Sequence, residues 1–277
     1  MSDTPAGRPA LDQGRLADVA GWQVEVVPET PSTNALVSDC ARAGTAEGLV
    51  ITTEHQTAGR GRLDRGWTMP PRAALAVSVL LRPDVPAERW PWLPLMTGVA
   101  VVGAVRELGY DAGLKWPNDV LAHGRKLCGI LVERVEAPAD SSTGDGAAAV
   151  VGIGLNTSLT AEELPVPTAT SLALEGGAPV DRTEVLVTLL RHLSASYAAW
   201  RERPDELAAT YVELSVTLGQ RVRAELPGGG ALVGAATGID RYGRLEVLPD
   251  RADDTVAVGA GDVVHLRPAP TTDTGMQ

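Results

Sequence analysis

Two lysines stand in a chain that otherwise carries its positive charge on arginine. Lys+Arg number 24, and only Lys115 and Lys126, eleven positions apart, are lysine. An ammonium and a guanidinium differ in geometry and hydration, so the choice can be chemical; chance clustering is the alternative. Lys115-Trp116-Pro117-Asn118-Asp119 packs an ammonium, an indole, an amide and a carboxylate around a proline of fixed φ. Such a cluster can hold a charged ligand, or it can be a turn in which Asn118 and Asp119 bond their own backbone. The second lysine opens Lys126-Leu127-Cys128-Gly129-Ile130-Leu131-Val132-Glu133. Strand alternation predicts Lys126, Cys128, Ile130 and Val132 on one face and Gly129 and Leu131 on the other. An ammonium among apolar side chains needs an anionic partner; on an edge strand it would face water and blunt the edge.

Between Thr57 and Trp67 lie three arginines (Arg60, Arg62, Arg65) and three glycines (Gly59, Gly61, Gly66). Glycines let backbone approach a ligand, and guanidinium groups grip carboxylate or phosphate bidentately. The glycine spacing is not a dinucleotide fingerprint, and neither lysine follows G-x-x-x-x-G as a Walker A loop requires. An anion-binding loop or a solvated connection remains, and Trp67 can stack on a base or cover an apolar group. In Val151-Gly152-Ile153-Gly154-Leu155-Asn156, alternate glycines clear one face of a strand for something flat, a bulge or close sheet packing.

The elements that must position these residues follow from periodicity. Gln23–Val27, Gly48–Thr53, Ala73–Leu81, Leu114–Trp116, Val120–Ala122, Lys126–Val135 and Ala148–Leu155 read as strands, with a His123-Gly124 turn. Ala35–Ala43, Pro91–Leu108, Asp181–Arg201 and Asp205–Glu213 read as helices, the first capped from Ser32/Thr33 and closed by Gly44. Pro138–Gly146 reads as a polar loop. Beyond Leu214, Arg221–Leu226, Ala231–Ile239, Arg244–Leu248 and Val263–Leu266 alternate with glycine-rich turns, the texture of a small barrel. Strands and helices mixed without regular βαβ alternation imply an α+β unit followed by a small all-β one.

Composition narrows the class. The chain has 277 residues, 44% hydrophobic and 21% charged, so wholesale disorder is excluded. A net charge of −11 argues against a nonspecific nucleic-acid binder. Cys40 and Cys128 cannot make a disulfide framework or a four-sulfur zinc site, and the four histidines are scattered. Met1–Arg15 has no apolar core of a secretory leader, and Leu93–Val105 is shorter than the ~20 residues of a bilayer span. A reducing cytoplasm is the expected compartment, with no membrane partner.

In this order, the segments resemble the biotin–protein ligases. The resemblance runs from Ser32-Thr33-Asn34 through Gln56, Gly59-Arg60-Gly61-Arg62 and Trp67 to Lys115–Asp119, Lys126–Glu133 and Gly152–Asn156. Gly259–Arg267 is similar to the end of that family's C-terminal barrel. The resemblance implies an α+β fold: a class II aminoacyl-tRNA synthetase-like catalytic domain, mixed sheet with flanking helices, plus a small C-terminal SH3-like β-barrel. The expected division is a frayed N-terminus over 1–20, a ligase domain over 21–213, a barrel over 214–268 and a tail over 269–277.

The implied activity has two steps. Biotin's carboxylate attacks the α-phosphate of ATP, with Mg²⁺ required, giving biotinyl-5′-AMP. A lysine on a biotin carboxyl carrier domain of a carboxylase, such as acetyl-CoA carboxylase, then displaces AMP. The resemblance puts Lys126, Arg62 and Asp119 in catalysis: Lys126 between biotin carboxylate and α-phosphate, Arg62 in the lid, Asp119 orienting or deprotonating the incoming lysine. It puts Ser32, Thr33, Gln56, Gly59, Arg60, Lys126, Gly129, Gly152 and Gly154 around biotin, the last three glycines leaving room for its bicycle and tail. It puts Arg60, Arg62, Arg65, Trp67, Lys115, Asn118 and Asn156 around ATP or the adenylate. Metal ligands are not indicated, and Cys128 belongs to packing.

Arg72 departs from the family, which often has Pro followed by Gly there; it alters the far end of the lid or adds a phosphate contact. About 20 residues precede the first strand, too few for the winged helix of bifunctional members, so specific DNA binding is not expected. A monomer or weak homodimer is expected. The rival readings are a lipoate–protein ligase and a biotin or adenylate sensor without transfer activity.

Overall fold

The computed structural model describes residues 7–62, 65–67, 69–136, 146–177, 179–226, 229–259 and 262–265. In chain order the first half contains α1 (Gln13–Ala17), β1 (Gln23–Val27), α2 (Thr33–Arg42), β2 (Leu49–Thr53), β3 (Gly59–Arg60), β4 (Gly66–Trp67), β5 (Ala74–Leu81) and α3 (Leu93–Glu107). Then come β6 (Gly113–Lys115), β7 (Asp119–Ala122), β8 (Arg125–Glu136), β9 (Ala147–Asn156), α4 (Leu172–Gly176), α5 (Arg182–Glu202) and α6 (Pro204–Leu214). Five strands follow: β10 (Arg221–Glu225), β11 (Ala231–Ile239), β12 (Leu245–Pro249), β13 (Val256–Val258) and β14 (Asp262–His265). Most of the expected 138–146 loop, Leu266–Arg267 and the expected tail lie outside the described residues.

Seven strands form one sheet in the order β1-β2-β5-β9-β8-β7-β6. Only β1 and β2 pair parallel; the other neighbours are antiparallel, so the sheet is mixed. β8 therefore lies inside the sheet, which excludes an edge-strand role for Lys126. Strand alternation divides the sheet into two faces. Leu75, Val77, Val79, Val151, Ile153 and Leu155 enter the core shared with α3 and α5. α3 is apolar nearly all round because it is covered by the sheet on one side and by α5 and α6 on the other. On the opposite face, Leu80, Val150 and Val135 pack beneath α2. The rest of that face carries Ala76, Ser78, Gly129, Gly152 and Gly154.

The C-terminal five-stranded antiparallel sheet, in the order β13-β12-β11-β10-β14, continues the core through Val222, Leu245 and Val247. Two indoles, one just before α3 and one just after β6, hold it to the preceding elements. Trp116 Nε1 donates to Gly243 O (3.0 Å) and Trp92 Nε1 to Arg241 O (3.0 Å), both in the β11–β12 turn. Trp116 N–H also donates to Thr217 Oγ1 (3.0 Å). The tryptophan of the K-W-P-N-D segment is thus 2% exposed and structural, following a strand and preceding a cis Trp116–Pro117 bond.

The frayed N-terminus expected over residues 1–20 is corrected from residue 7 onward. Asp12 caps α1, Leu11 and Leu16 are buried, and Arg8 pairs with Glu163 while donating to Ser158 O (2.6 Å). Burial of two leucines and a buried guanidinium network outweigh the weak propensity of a short helix. The first six residues lie outside the description. The sequence also did not signal α4, β13 or the short β3–β4 hairpin, which are too brief for periodicity to mark.

Candidate active site

The site-bearing face opens into a cavity of ≈ 1080 Å³. Every site residue expected from the sequence lines it, apart from Gly59. Four strands build the floor as one row in register: Ala76 of β5, Gly154 of β9, Gly129 of β8 and Asp119 of β7. The next row is Ser78, Gly152 and Leu131.

A bulge places Lys126. Cys128 pairs with Val120 and Lys126 with Leu121, so β8 spends one extra residue, Leu127, against β7. Leu127 and Cys128 are therefore buried consecutively in the core. The expected alternation of Lys126 with Cys128 and Ile130 fails at this bulge. Lys126 instead lies above Gly129, where a Cβ would stand 3.2 Å from its Nζ. The anionic partner that such an ammonium needs is Asp119, with Oδ1 2.5 Å from Nζ. The Lys126 backbone is clamped from outside the sheet: its N–H donates to Thr168 O (2.7 Å) and its C=O accepts from Thr170 N–H (2.9 Å). Burial pushes the Cys128 thiol up, so it supplies no thiolate and fills space, as expected.

Gly152 and Gly154 face other side chains of the site. A Cβ on Gly152 would stand 2.3 Å from Asn34 Oδ1, and one on Gly154 2.8 Å from Trp67 Cε2. The glycines clear space for the site's own side chains, because a bare sheet is what lets Asn34, Trp67 and Lys126 descend onto it. Gly59 serves the same end: a Cβ there would lie 2.2 Å from Gln56 Nε2 and 2.4 Å from Trp67 O.

The loop expected between Thr57 and Trp67 folds over as the β3–β4 hairpin, pairing Gly59 with Trp67 and Arg60 with Gly66. Its arginines reach the cavity, and Arg62 Nη1 donates to Asn118 Oδ1 (3.1 Å), tying the lid to the K-W-P-N-D segment. Asn118 is held in turn, its Nδ2 donating to Ile130 O (2.8 Å). Lys115 is half-buried at the end of β6 on the same side. Asn156, at the end of β9, donates to Thr170 O (2.9 Å). Arg72 is not among the residues that line the cavity. It sits at φ 58° with its Nε 3.8 Å from Glu54, and its Nη1 donates to Arg8 O (3.4 Å), away from the cavity lining.

At the other end of the cavity, α2 begins. The Ser32 hydroxyl accepts from Ala35 N–H (3.4 Å) as the N-cap, and the first turn presents Thr33 and Asn34. Gln56 Oε1 accepts from Thr33 N–H (2.9 Å), with Thr33 Oγ1 at 3.2 Å. Ser78 Oγ lies 2.7 Å from Thr33 Oγ1 and 2.6 Å from Asn34 Oδ1. Asn34 Nδ2 donates to Glu133 Oε2 (2.6 Å). Asn34 and Glu133 were legible only as members of matching segments, and Ser78, inside an apolar strand, carried no signal at all.

The arrangement is asymmetric in chemistry. One end offers buried neutral donors and acceptors, suited to a polar uncharged ring. The other offers guanidinium and ammonium groups, suited to phosphates. Lys126, between them, can hold two anions close enough to react. The described residues contain no group of three or more His, Cys, Asp or Glu able to hold a metal by themselves. Asp111 and Asp119 are lining carboxylates on the phosphate-suited side. This donor set fits a Mg²⁺ that arrives on substrate phosphates, since such an ion uses one or two carboxylates and keeps water.

Known proteins share this frame. Residues 26–156 match the biotin/lipoate A/B protein ligase family, and residues 217–266 match the biotin protein ligase C-terminal domain. A biotin–[acetyl-CoA-carboxylase] ligase of Mycobacterium tuberculosis is 46% identical, with 96% of this chain and 100% of the relative covered. The bifunctional ligase/repressor BirA of Escherichia coli is 31% identical over 92% of this chain and 77% of its own length. Among solved structures, the biotin protein ligase of Aquifex aeolicus in complex with biotin and ATP superposes with a TM-score of 0.74 at 27% identity, covering 88% of this chain and 99% of its own.

Proposed function

From the chain's membership of the biotin/lipoate A/B protein ligase family, within which it is an ATP-dependent biotin–protein ligase, we propose how its residues divide the work. Biotin lies with its ureido ring toward Ser32, Thr33 and Gln56 and its carboxylate toward Lys126. ATP lies toward Arg60, Arg62, Arg65, Lys115, Asn118 and Asn156. The carboxylate oxygen attacks the α-phosphorus, the bond to the β-phosphate oxygen breaks, and pyrophosphate leaves. The product is biotinyl-5′-AMP. A lysine amine of a biotin carboxyl carrier domain then attacks the acyl carbon, AMP departs with the bonding pair, and an amide remains.

Lys126 carries this reading. It is a single ammonium on the floor between the two ends of the cavity, held 2.5 Å from Asp119. Two anions repel as they approach, and a fixed positive charge between them lowers that cost most in the transition state. Asp119 holds the ammonium in the first step and orients or deprotonates the incoming lysine in the second. Arg62, by its bond to Asn118, closes the lid over the adenylate and keeps water from the mixed anhydride. Trp67 packs on Gly154 and walls the channel between the two ends. When bound, Mg²⁺ neutralises phosphate charge, with Asp111 and Asp119 the carboxylates that would face it.

The proposed division is a catalytic unit over residues 21–213, to which the packed residues 7–20 are joined, and a C-terminal unit over 214–268. Among the described residues no helix is long and apolar enough to cross a membrane. The proposed setting is cytoplasmic, where biotin-dependent carboxylases would supply the carrier.

Pyrophosphate release with ATP and Mg²⁺ tests the reading, with biotin, with lipoate and with no acid. A burst near one equivalent per enzyme with biotin alone is expected. Release with lipoate alone would move the chain to the lipoate branch. Biotin binding without release would make it a sensor.

A further inference from the structure

The hydrogen bonds behind Thr33 resolve to one direction once each contact shorter than 3 Å is given a hydrogen. A carboxylate accepts and does not donate, so Glu133 requires the NH₂ of Asn34 to face it (2.6 Å). Asn34 Oδ1 must then face Ser78, whose hydroxyl is fully buried. Ser78 has one hydrogen and two neighbours, Asn34 Oδ1 at 2.6 Å and Thr33 Oγ1 at 2.7 Å. Asn34 Oδ1 cannot donate, so the Ser78 hydrogen goes there; otherwise a buried carbonyl would be left unpaired. The Thr33 hydroxyl then donates to Ser78 (2.7 Å) rather than to Gln56 Oε1 (3.2 Å), which already accepts Thr33 N–H, and keeps its lone pairs for the cavity. Gln56 is oriented by the same logic, because its Oε1 accepts Thr33 N–H (2.9 Å) and its NH₂ is left as the donor.

We propose that Glu133, acting through Asn34 and Ser78, is a positioning residue that presents an acceptor at Thr33 beside a donor at Gln56, the complement of one N–H/C=O edge of a cyclic urea. The inference rests on the ligase reading and deepens it. A cyclic urea has that edge, whereas a dithiolane ring has neither donor nor acceptor and leaves the pair without partners. Gly152 belongs to the device, since any side chain there would displace Asn34 Oδ1. The site thus chooses its acid by the direction of three buried hydrogens, set from the Glu133 carboxylate.

The test is a polarity swap. Glu133→Gln can donate as well as accept, which lets Asn34 turn over and reverse the relay. Adding Asn34→Asp in the same chain restores the order, because the introduced amide then donates to the introduced carboxylate, and that carboxylate accepts from Ser78. For Glu133→Gln, biotin KM should rise about tenfold, the scale of one mis-set buried hydrogen bond. KM for ATP should be unchanged, and turnover at saturating biotin should fall less than threefold. Desthiobiotin, which keeps the urea and lacks the second ring, should weaken by the same factor. The double variant should return to within about threefold of the wild type, with urea midpoints showing all chains folded. An unaltered biotin KM in Glu133→Gln overturns the inference, as does a double variant no better than the single. A loss shared equally by biotin and ATP would mean a merely structural carboxylate and overturns it too. Wild-type protein without biotin-dependent pyrophosphate release would instead sink the ligase reading, a separate result read from the unsubstituted chain.

Discussion

The two faces of β9 obey opposite rules although they alternate residue by residue. Val151, Ile153 and Leu155 point into the core under α3, where close packing of branched side chains is stabilising. Gly152 and Gly154 point the other way, and their missing side chains let Asn34 and Trp67 come down to the backbone. One face stabilises the fold by filling space and the other makes a site by leaving it empty. The bare stretch of the site face contributes little burial, so the core under α3 and the smaller cluster beneath α2 must carry the stability.

The comparison predicts which changes damage chemistry and which damage stability. The largest effect on activity belongs to Lys126→Ala on the site face. It should lower biotin-dependent pyrophosphate release by at least ~10²-fold, the scale of removing one preorganised charge contact, with an unaltered urea midpoint. Wild-type release from that variant would end the assignment. Next, Gly154→Ala adds a Cβ 2.8 Å from the Trp67 indole and should cut kcat/KM for biotin by about tenfold to a hundredfold through a misplaced lid. Its neighbour on the other face, Leu155→Ala, should do the reverse. It should cost about 2–5 kcal/mol in urea unfolding while kcat/KM stays within about threefold. If Leu155→Ala loses activity while stably folded, the division between the faces is wrong.

A smaller change sharpens the lid. Arg62→Ala removes the bond to Asn118 and should speed loss of biotinyl-5′-AMP by about tenfold in a chase experiment, one charge-assisted bond being worth roughly that factor. The smallest effect lies at Glu175 of α4. Burial alone would raise the Glu175 carboxyl, but the Thr170 hydroxyl, His123 and Arg125 more than offset it and hold it below the usual range. A lowered carboxyl stabilises the fold above its unfolded value, about 4.3, and loses that contribution as pH falls through its folded value. The wild type and Glu175→Gln should therefore differ in urea midpoint at about pH 5, above the unfolded carboxyl value. That gap should close below about pH 4, and a gap that widens in acid would reverse the sign.

Legibility followed range along the chain. The strands, the long helices and the four site segments were readable because each is a local pattern, alternation for Ala147–Asn156 and helical spacing for Arg182–Glu202. Alternation misplaces the face of Lys126 because a bulge is a disagreement between two strands, and neither strand alone records it. Ser78 could not be found, since a serine in an apolar strand is informative only once Asn34 and Thr33 lie beside it. The N-terminal residues read as frayed because their anchors, Glu163 and the Glu54–Arg182 pair, lie far away in sequence.

The sequence by itself determined the inventory: one lysine and one aspartate seven positions apart, an arginine–glycine lid, alternate glycines, and a mixed α+β order. Those are choices of residue type, and type is a property of each position alone. The tertiary structure decided which types meet. It turned Lys126 onto Gly129 and against Asp119, set Trp67 on Gly154, and ran a single direction of hydrogen bonds from Glu133 to Thr33. Contacts of that kind depend on register and close approach between strands, which exist only once the backbone has closed on itself.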